Sequence, residues 1–317
     1  MIYKNIITVF AVAHIFIEKC EAQYFDYINI HIEKDGKLYE LLEQESILLE
    51  KNVTSVLIED QKVPTLKRGS FENLTRLKKV SLNKNGIITL ENGCFKNLPQ
   101  LRVLKIHFNK IEELNGTIFH NLPITKLSLI GNGLKYIGEN VLNTLTQLQE
   151  LNLRGNSLSV LPKHLLQDTK YLERIDLSDN KISSIPDGFF YEAFIYRQFG
   201  QPTIINLSQN ELTSFTDQIF DGVHYIQNLI LSNNLIRDLS NNMFKKIRSI
   251  ETIDLQRNLL TEISKELLDG FFQKPYKVLL SGNNFSLHFI KMMKRWTEAD
   301  KTRKYVQLDW DANGKWE

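Results

Sequence analysis

The chain has 317 residues, of which 42% are apolar and 24% are charged, and it contains seven prolines. This composition is typical of a folded protein and excludes a largely disordered one. The formal net charge of +2 excludes the strong positive field of a non-specific nucleic-acid binder, so we expect no nucleic-acid partner.

Residues 1–22 have the features of a secretory signal peptide. Lys4 gives a positively charged start, residues 6–17 form a mostly apolar run, and Cys20-Glu21-Ala22 fits the small-x-small cleavage rule. The alternative interpretation is a membrane anchor, but a spanning helix needs about 20 apolar residues. We therefore expect a secreted, soluble mature chain that begins at Gln23, and the polar C-terminal end excludes the apolar tail of a GPI signal.

Sequons for N-linked glycosylation agree with an extracellular location. They lie at Asn52, Asn73, Asn115, Asn206 and Asn284. Their number behind a signal peptide predicts a secreted glycoprotein.

The cysteines are unusual for a secreted chain. If Cys20 leaves with the signal peptide, Cys94 is the single cysteine that remains, so no intrachain disulfide can form. We interpret Cys94 as a small buried residue, and the alternative is an intermolecular disulfide.

Residues 23–52 are predicted to form an N-terminal cap. Ile28, Ile30 and Ile32 alternate with polar residues, and Asp35-Gly36 is a strong two-residue hairpin turn. A stack of repeats needs such a cap because its first strand otherwise has an unpaired edge.

From residue 53 to residue 285 the chain repeats a unit of about 24 residues about ten times. Each unit has an apolar-x-apolar strand such as Leu151-Asn152-Leu153, a polar residue that is usually asparagine three places later, and a phenylalanine or leucine ten places after that. The polar position is held by Gln61, Asn85, Asn109, Asn132, Asn156, Asn180, Asn210, Asn234, Asn258 and Asn283. The spacing is 24 residues in most units, 23 before Asn132, 30 before Asn210 and 25 before Asn283.

Each part of the unit has a physical reason. The two strand residues point to the same side because side chains alternate with period two, so they stack on the equivalent pair of the next unit. An asparagine carries a donor and an acceptor, so a column of asparagines can pair the backbone groups that the following bend leaves near the core. No unit buries its apolar side alone, and only the stack does so.

This pattern resembles the extracellular leucine-rich repeat proteins with repeats of about 24 residues that end in phenylalanine, over residues 53–285. The resemblance implies an α/β solenoid, a curved horseshoe with a concave parallel β-sheet and with loops and short helices on its convex side. Members of that family usually close both ends with disulfide-bonded cysteines, and residues 286–317 are then a C-terminal cap that lacks them. We expect apolar packing to replace the bridges, through Leu287, Ile290, Met293 and Trp296.

The cap also carries a run of cations: Lys291, Lys294, Arg295, Lys301, Arg303 and Lys304. We interpret them as a solvated face. The less favoured alternative is binding to a glycosaminoglycan or to a membrane surface.

The candidate binding residues flank the inward strand positions and are therefore expected on the concave face. They are Lys79, Val103, Lys105, His107, Phe108, Lys126, Ile130, Arg154 and Arg174. Exposed apolar residues beside cations suit a protein interface, and residues 103–130 are the predicted main contact. The alternative is that these are ordinary single exposed apolar residues. A glycan on Asn206 would shield the middle of the same face and direct a partner toward the N-terminal repeats.

The long repeat, residues 172–201, contains the aromatic run FFYEAFIYRQFG. This run is interpreted as a longer convex helix that packs its own aromatic rings. The alternative is a dimer contact.

No enzyme motif is present: the chain has no HExxH, GxSxG, phosphate loop or metal-spaced cysteine and histidine cluster. We expect no enzymatic activity, cofactor or metal. The leading hypothesis is a secreted leucine-rich repeat protein that binds another extracellular protein through its concave face, in a recognition, immune, signalling or adhesion setting. The alternative is a structural extracellular-matrix protein or a protein that self-associates into homo-oligomers.

Overall fold

The computed structural model describes residues 14–16, 29–34, 37–41, 46–48, 52–195, 203–271, 277–298 and 306–307. Several predicted features lie outside these residues: most of the signal peptide, the Asp35-Gly36 turn, residues 196–200 of the aromatic run, and Lys301, Arg303 and Lys304 of the cap. Among the described residues, no helix has the length and apolarity that crossing a bilayer requires.

The described secondary structure is almost entirely short strands. In chain order they are β1 His14–Phe16, β2 Asn29–Lys34, β3 Lys37–Leu41, β4 Ser46–Leu48, β5 Val53–Glu59, β6 Thr65–Leu66, β7 Phe71–Glu72, β8 Lys79–Asn83, β9 Thr89–Leu90, β10 Phe95–Lys96, β11 Val103–His107, β12 Glu113–Leu114, β13 Lys126–Ser128, β14 Tyr136–Ile137, β15 Glu150–Asn152, β16 Arg174–Asp176, β17 Ile204–Asn206, β18 Tyr225–Ile230, β19 Ser249–Asp254, β20 Lys277–Leu279 and β21 Val306–Gln307. The helices are α1 Tyr191–Phe194, α2 Lys265–Gly270 and α3 Leu287–Glu298.

One sheet of 13 strands organises the chain, in the order β3-β2-β5-β8-β11-β13-β15-β16-β17-β18-β19-β20-β21. From β5 to β21 every pair is parallel, whereas β2 pairs antiparallel with both β3 and β5. β1 and β4 form a separate antiparallel pair, and the remaining short strands pair outside the main sheet. The predicted solenoid of stacked coils with a parallel sheet and few helices is confirmed.

The core consists of columns of equivalent apolar residues. One column runs through the register of the main sheet and no member is more than 1% exposed. Its members are Val56, Val80, Leu104, Leu127, Leu151, Ile175, Ile205, Leu229, Ile253 and Val278. Residues on either side of this column point the other way because strand side chains alternate, and they form the solvent-facing side of the main sheet, which we call the open sheet face.

The asparagines form the predicted hydrogen-bonded column, which we call the asparagine ladder. In Asn156 the Oδ1 atom accepts from the amides of Asn132 and Leu134 in the preceding repeat, at 3.1 and 3.0 Å. Its Nδ2 atom donates to the carbonyls of Leu129, at 3.0 Å, and Leu153, at 2.7 Å. Each coil is therefore tied to the next by a buried side chain.

The ladder is incomplete at Asn132, which ends the 23-residue unit. Its Nδ2 atom donates to the carbonyls of Ile106 and Leu129, both at 2.7 Å. Its Oδ1 atom is buried and has no hydrogen-bond partner. The shorter spacing in the sequence is thus accompanied by a lost acceptor interaction.

The residue before each ladder position has a left-handed backbone, with φ between 52° and 72°. The members of this left-handed column are Asp60, Lys84, Phe108, Gly131, Gly155, Asp179, Gln209, Asn233, Arg257 and Gly282. Their amides donate to the next repeat, as from Phe108 to the carbonyl of Ile130 at 2.8 Å. The column places these side chains at the edge of the open sheet face.

Aromatic rings fill the side of the coils away from the main sheet. Phe190, Phe220, Phe244 and Phe271 stack in sequence, with ring centroids 6.0, 5.9 and 4.1 Å apart. In the long repeat, Phe189, Phe190 and Phe194 are buried. The interpretation that this run packs its own rings is therefore confirmed for these three, although helix α1 has only four residues.

Cys94 is fully buried, as predicted, and is a free thiol. Burial raises its pKa to about 12, so the reactive thiolate is strongly disfavoured.

Helix α3 packs against the C-terminal coils of the stack. Phe289, Ile290, Met293 and Trp296 are buried, and Trp296 Nε1 donates to Asp269 Oδ1 of helix α2 at 3.0 Å. The prediction for Leu287 is wrong, because this side chain is 72% exposed. Successive helical residues are about 100° apart, so Leu287 points away from the side that the other four share.

Candidate protein-binding surface

The nine predicted binding residues lie on the open sheet face or at its edge. Lys79, Val103, Lys126 and Arg174 occupy one row of the sheet register, with Glu150 between the last two. In the next row Lys105 pairs with Ser81 and Ser128. His107, Phe108, Ile130 and Arg154 lie beyond these rows, toward the asparagine ladder.

The cations of this surface outnumber its acidic groups. Lys126 Nζ lies 2.9 Å from Glu150 Oε1, and both side chains are partly exposed, so the pair adds little stability. In the described part of the chain, no acidic group forms an ion pair with Lys79, Lys105, Arg154 or Arg174. These charges remain available to an incoming group.

His107 is a neutral polar group in this surface. Its Nε2 atom lies 2.7 Å from Ser128 Oγ across the two strands. Partial burial, with the nearby Lys105 ammonium as a smaller cause, lowers the pKa of His107. The imidazole is therefore uncharged at neutral pH.

Phe108 is the most exposed apolar residue of the candidate set, with 57% of its surface accessible. Its φ of 54° is unfavourable for a bulky side chain. The ring lies over Gly131, where an added Cβ atom would be only 2.6 Å from Phe108 Cδ1. It also makes an edge contact with the His107 ring, at a centroid distance of 6.2 Å. Gly131 and His107 together hold the exposed ring in place.

Lys84 lies beside Phe108 and was not among the predicted binding residues. We call the part of the open sheet face formed by Lys84, Lys105, His107, Phe108 and Gly131 the corner. Lys84 precedes Phe108 in the left-handed column, and its amide donates to the carbonyl of His107 at 3.0 Å. The sequence feature that could have identified Lys84 is its position, one residue before a ladder asparagine.

The described residues contain no cluster of three or more histidine, cysteine or acidic side chains that could hold a metal ion. A cavity of about 250 Å³ lies away from the main sheet, lined in part by Lys163, His164, Asp187 and Tyr191. It is smaller than the roughly 300–1,000 Å³ usual for ligand pockets. The open sheet face is therefore the better candidate for binding.

The five sequon asparagines occupy different environments. Asn115 and Asn284 are exposed, whereas Asn52 and Asn73 are partly buried. Asn206 lies in β17 on the open sheet face, where its Oδ1 accepts from the Ser208 amide at 3.1 Å. This bond involves the oxygen, so the Nδ2 atom that would carry a glycan takes no part in it.

Two family models match the chain. The model described as a BspA type leucine rich repeat region matches residues 64–196 in six copies, and a second leucine rich repeat model matches residues 203–271. Together they cover more than half of the sequence. No curated protein matches the chain.

Solved structures show the same fold, with 366 chains that match. One is Toll in the structure of the Toll–Spatzle complex, described as a molecular hub in Drosophila development and innate immunity. The TM-score is 0.58 at 20% sequence identity, over 73% of this chain and 35% of that chain. The chain thus spans about a third of the length of that relative, and the likeness shows the fold alone. With its repeat geometry and the two family matches, the chain belongs to the leucine-rich repeat family.

Proposed function

We propose that this chain is a secreted protein that binds another extracellular protein through the N-terminal half of its open sheet face. The observation that carries the proposal is that Lys79, Lys105, Arg154 and Arg174 lie on the same face as the exposed ring of Phe108. These four cations have no acidic partner among the described residues. Interface cores favour aromatic side chains and arginine over other surface residues.

The extracellular setting is supported by the predicted signal peptide and by the five sequons. The printed description of the solved relative names Toll in complex with Spatzle, so that protein binds a protein partner. By analogy, a recognition, immune, signalling or adhesion role suits this chain, and fold-level analogy is the weaker part of the argument.

The sequon at Asn206 indicates which part of the open sheet face the partner would use. A glycan there would occupy the open sheet face three strands beyond β13, in β17. The partner would then be limited to the strands between β5 and β16, which is where the candidate cations and Phe108 lie.

Affinity capture from native extracellular fluid tests this proposal. The baits are the glycosylated wild type and a fourfold variant with Val103→Ser, Lys105→Ser, Lys126→Ser and Ile130→Ser. A matched control removes two apolar residues and two lysines outside the main sheet: Tyr136→Ser, Val160→Ser, Lys110→Ser and Lys181→Ser.

We expect a partner that wild type and the control retain and the fourfold variant loses. A partner retained equally by all three baits would contradict the proposed face. Recovery of only further copies of this chain would favour the alternative, a self-associating matrix protein.

A further inference from the structure

Phe108 stands at a position where its residue type is unfavourable. Three of the ten members of the left-handed column are glycine, and Asp60, Asp179 and Asn233 are of the types that tolerate this backbone best. Phe108 has a bulky side chain with φ of 54°, and more than half of the residue's surface is exposed to solvent. Neither local backbone preference nor core packing explains a phenylalanine here.

The ring of Phe108 is nevertheless held in one place. Gly131 leaves the space beneath it, and His107 contacts its edge. His107 is in turn bonded to Ser128 at 2.7 Å, which fixes the imidazole. A rigid exposed aromatic ring loses little entropy when a partner covers it, which is a property of binding hot spots.

A second departure from the stable pattern lies at the residue after Gly131. Asn132 Oδ1 is buried without a partner, in the ladder position next to Gly131. Left-handed bulky residues and unpaired buried polar atoms both destabilise a fold, and such features are concentrated at functional sites. The two occur together at this corner of the open sheet face.

The charges around Phe108 are positive. Lys84 precedes it in the left-handed column and Lys105 lies in β11, which ends one residue before Phe108. Neither lysine has an ion-pair partner among the described residues. The nearest acidic residues lie on the N-terminal side of Lys84: Asp60 precedes it in the left-handed column, and Glu59 accepts a bond from Asn83 Nδ2 at 2.6 Å. Neither forms an ion pair with Lys84 in the described part of the chain. An acidic group beside an apolar one is the complement of this corner.

We infer that the partner docks on this corner with an acidic segment, whose one aromatic or large aliphatic side chain packs on Phe108 while its carboxylates lie against Lys84 and Lys105. This inference rests on the proposed function and adds the chemistry of the partner.

Selection of random dodecapeptides on the secreted full chain tests the inference. Peptides are selected on the wild type, and the enriched ones are synthesised with a fluorescent label. Binding is then measured by anisotropy to Phe108→Gly and to a double variant, Lys84→Glu with Lys105→Glu. Glycine suits the left-handed backbone, so Phe108→Gly removes the ring without straining the fold. Tyr136→Gly removes an aromatic ring of similar exposure, 52%, outside the main sheet and is the control.

We expect the enriched peptides to combine aspartate or glutamate with an aromatic or large aliphatic residue. Binding should fall at least tenfold with Phe108→Gly and with the charge-reversed double variant, should weaken with added salt, and should be unchanged with Tyr136→Gly. Enrichment of basic or uncharged peptides, no enrichment, or equal binding to Phe108→Gly would overturn the inference.

The capture experiment separates this inference from the proposed function, because the fourfold variant leaves Phe108 and Lys84 intact. A partner lost by the fourfold variant but retained by Phe108→Gly and by the charge-reversed variant would overturn this inference alone. If no captured partner depends on the open sheet face, the proposed function fails, whichever peptides are selected.

Discussion

Two asparagines of the ladder provide a matched test of what holds the stack together. Asn156→Ala removes an Oδ1 atom that accepts two backbone amides, those of Asn132 and Leu134. Asn132→Ala removes an Oδ1 atom that accepts none. Both side chains are buried, both donate through Nδ2, and both lie in the same column.

The expected difference follows from the groups left without partners. After Asn156→Ala, the Leu129 carbonyl still accepts from Asn132 Nδ2 and the Leu153 carbonyl still accepts from Asn180 Nδ2. The two amides lose their acceptor, and an unsatisfied buried donor costs about 1–3 kcal/mol. Asn132→Ala in turn leaves the Ile106 carbonyl without its side-chain donor. The net difference is one unsatisfied buried group, so Asn156→Ala should lower the free energy of unfolding by about 1–3 kcal/mol more than Asn132→Ala does.

Urea titration followed by far-UV circular dichroism measures this difference. With an m-value of about 3 kcal/mol per molar urea, the two midpoints should differ by about 0.3–1 M. Coincident transitions by tryptophan fluorescence are needed, because long repeat arrays can lose two-state behaviour. Equal midpoints, or a lower midpoint for Asn132→Ala, would refute the role given to the ladder oxygen.

Four further outcomes follow. Leu153→Ala should destabilise the fold by about 2–5 kcal/mol and Arg154→Ala by less than about 0.5, and the reverse order in urea titration would contradict the strand register. Phe108→Gly should leave the free energy of unfolding unchanged or raise it by up to about 1 kcal/mol in urea titration. A clear loss of stability would contradict the argument that the left-handed backbone strains Phe108. Burial lowers the pKa of His107, so the unfolded state takes up its proton first and stability should fall as pH drops below about 6.5; His107→Gln should reduce that fall, and an unaltered pH profile would count against it. With its pKa raised to about 12, Cys94 should resist iodoacetamide at pH 8 until urea unfolds the chain, and rapid labelling of the native protein would contradict its burial.

The repeats were predictable because the same spacing of apolar residues and asparagine recurs along the sequence. A strand such as Glu150–Asn152 is too short to be assigned alone, but its offset from Asn156 recurs in each unit. The alternating isoleucines likewise predicted the strand Asn29–Lys34. Periodic burial and periodic hydrogen bonding are properties that sequence spacing records directly.

The C-terminal cap and the surface around Phe108 were harder to predict from the sequence because each occurs only once in the chain. Leu287 was expected in the core, but the orientation of helix α3 depends on where its first turn meets the last repeat, and spacing does not give this. The left-handed backbone of Phe108 was marked by the glycines at 131 and 155, which share its offset. The position of its ring over Gly131 depends on three-dimensional packing that no single repeat contains.

The ladder also gives the solenoid a direction. Except at Asn132, the ladder oxygens accept from the coil before them: Asn109 Oδ1 accepts from the amides of Asn85 and Ile87, and Asn283 Oδ1 accepts from that of Leu260. If the stack is pulled apart between two coils, the N-terminal piece loses the acceptor for its backbone amides, whereas the C-terminal piece keeps an asparagine that water can solvate. A coil lost from the C-terminal end therefore leaves unpaired amides on the remaining stack, whereas a coil lost from the N-terminal end does not. Mechanical unravelling should cost less when it advances from the N-terminal end.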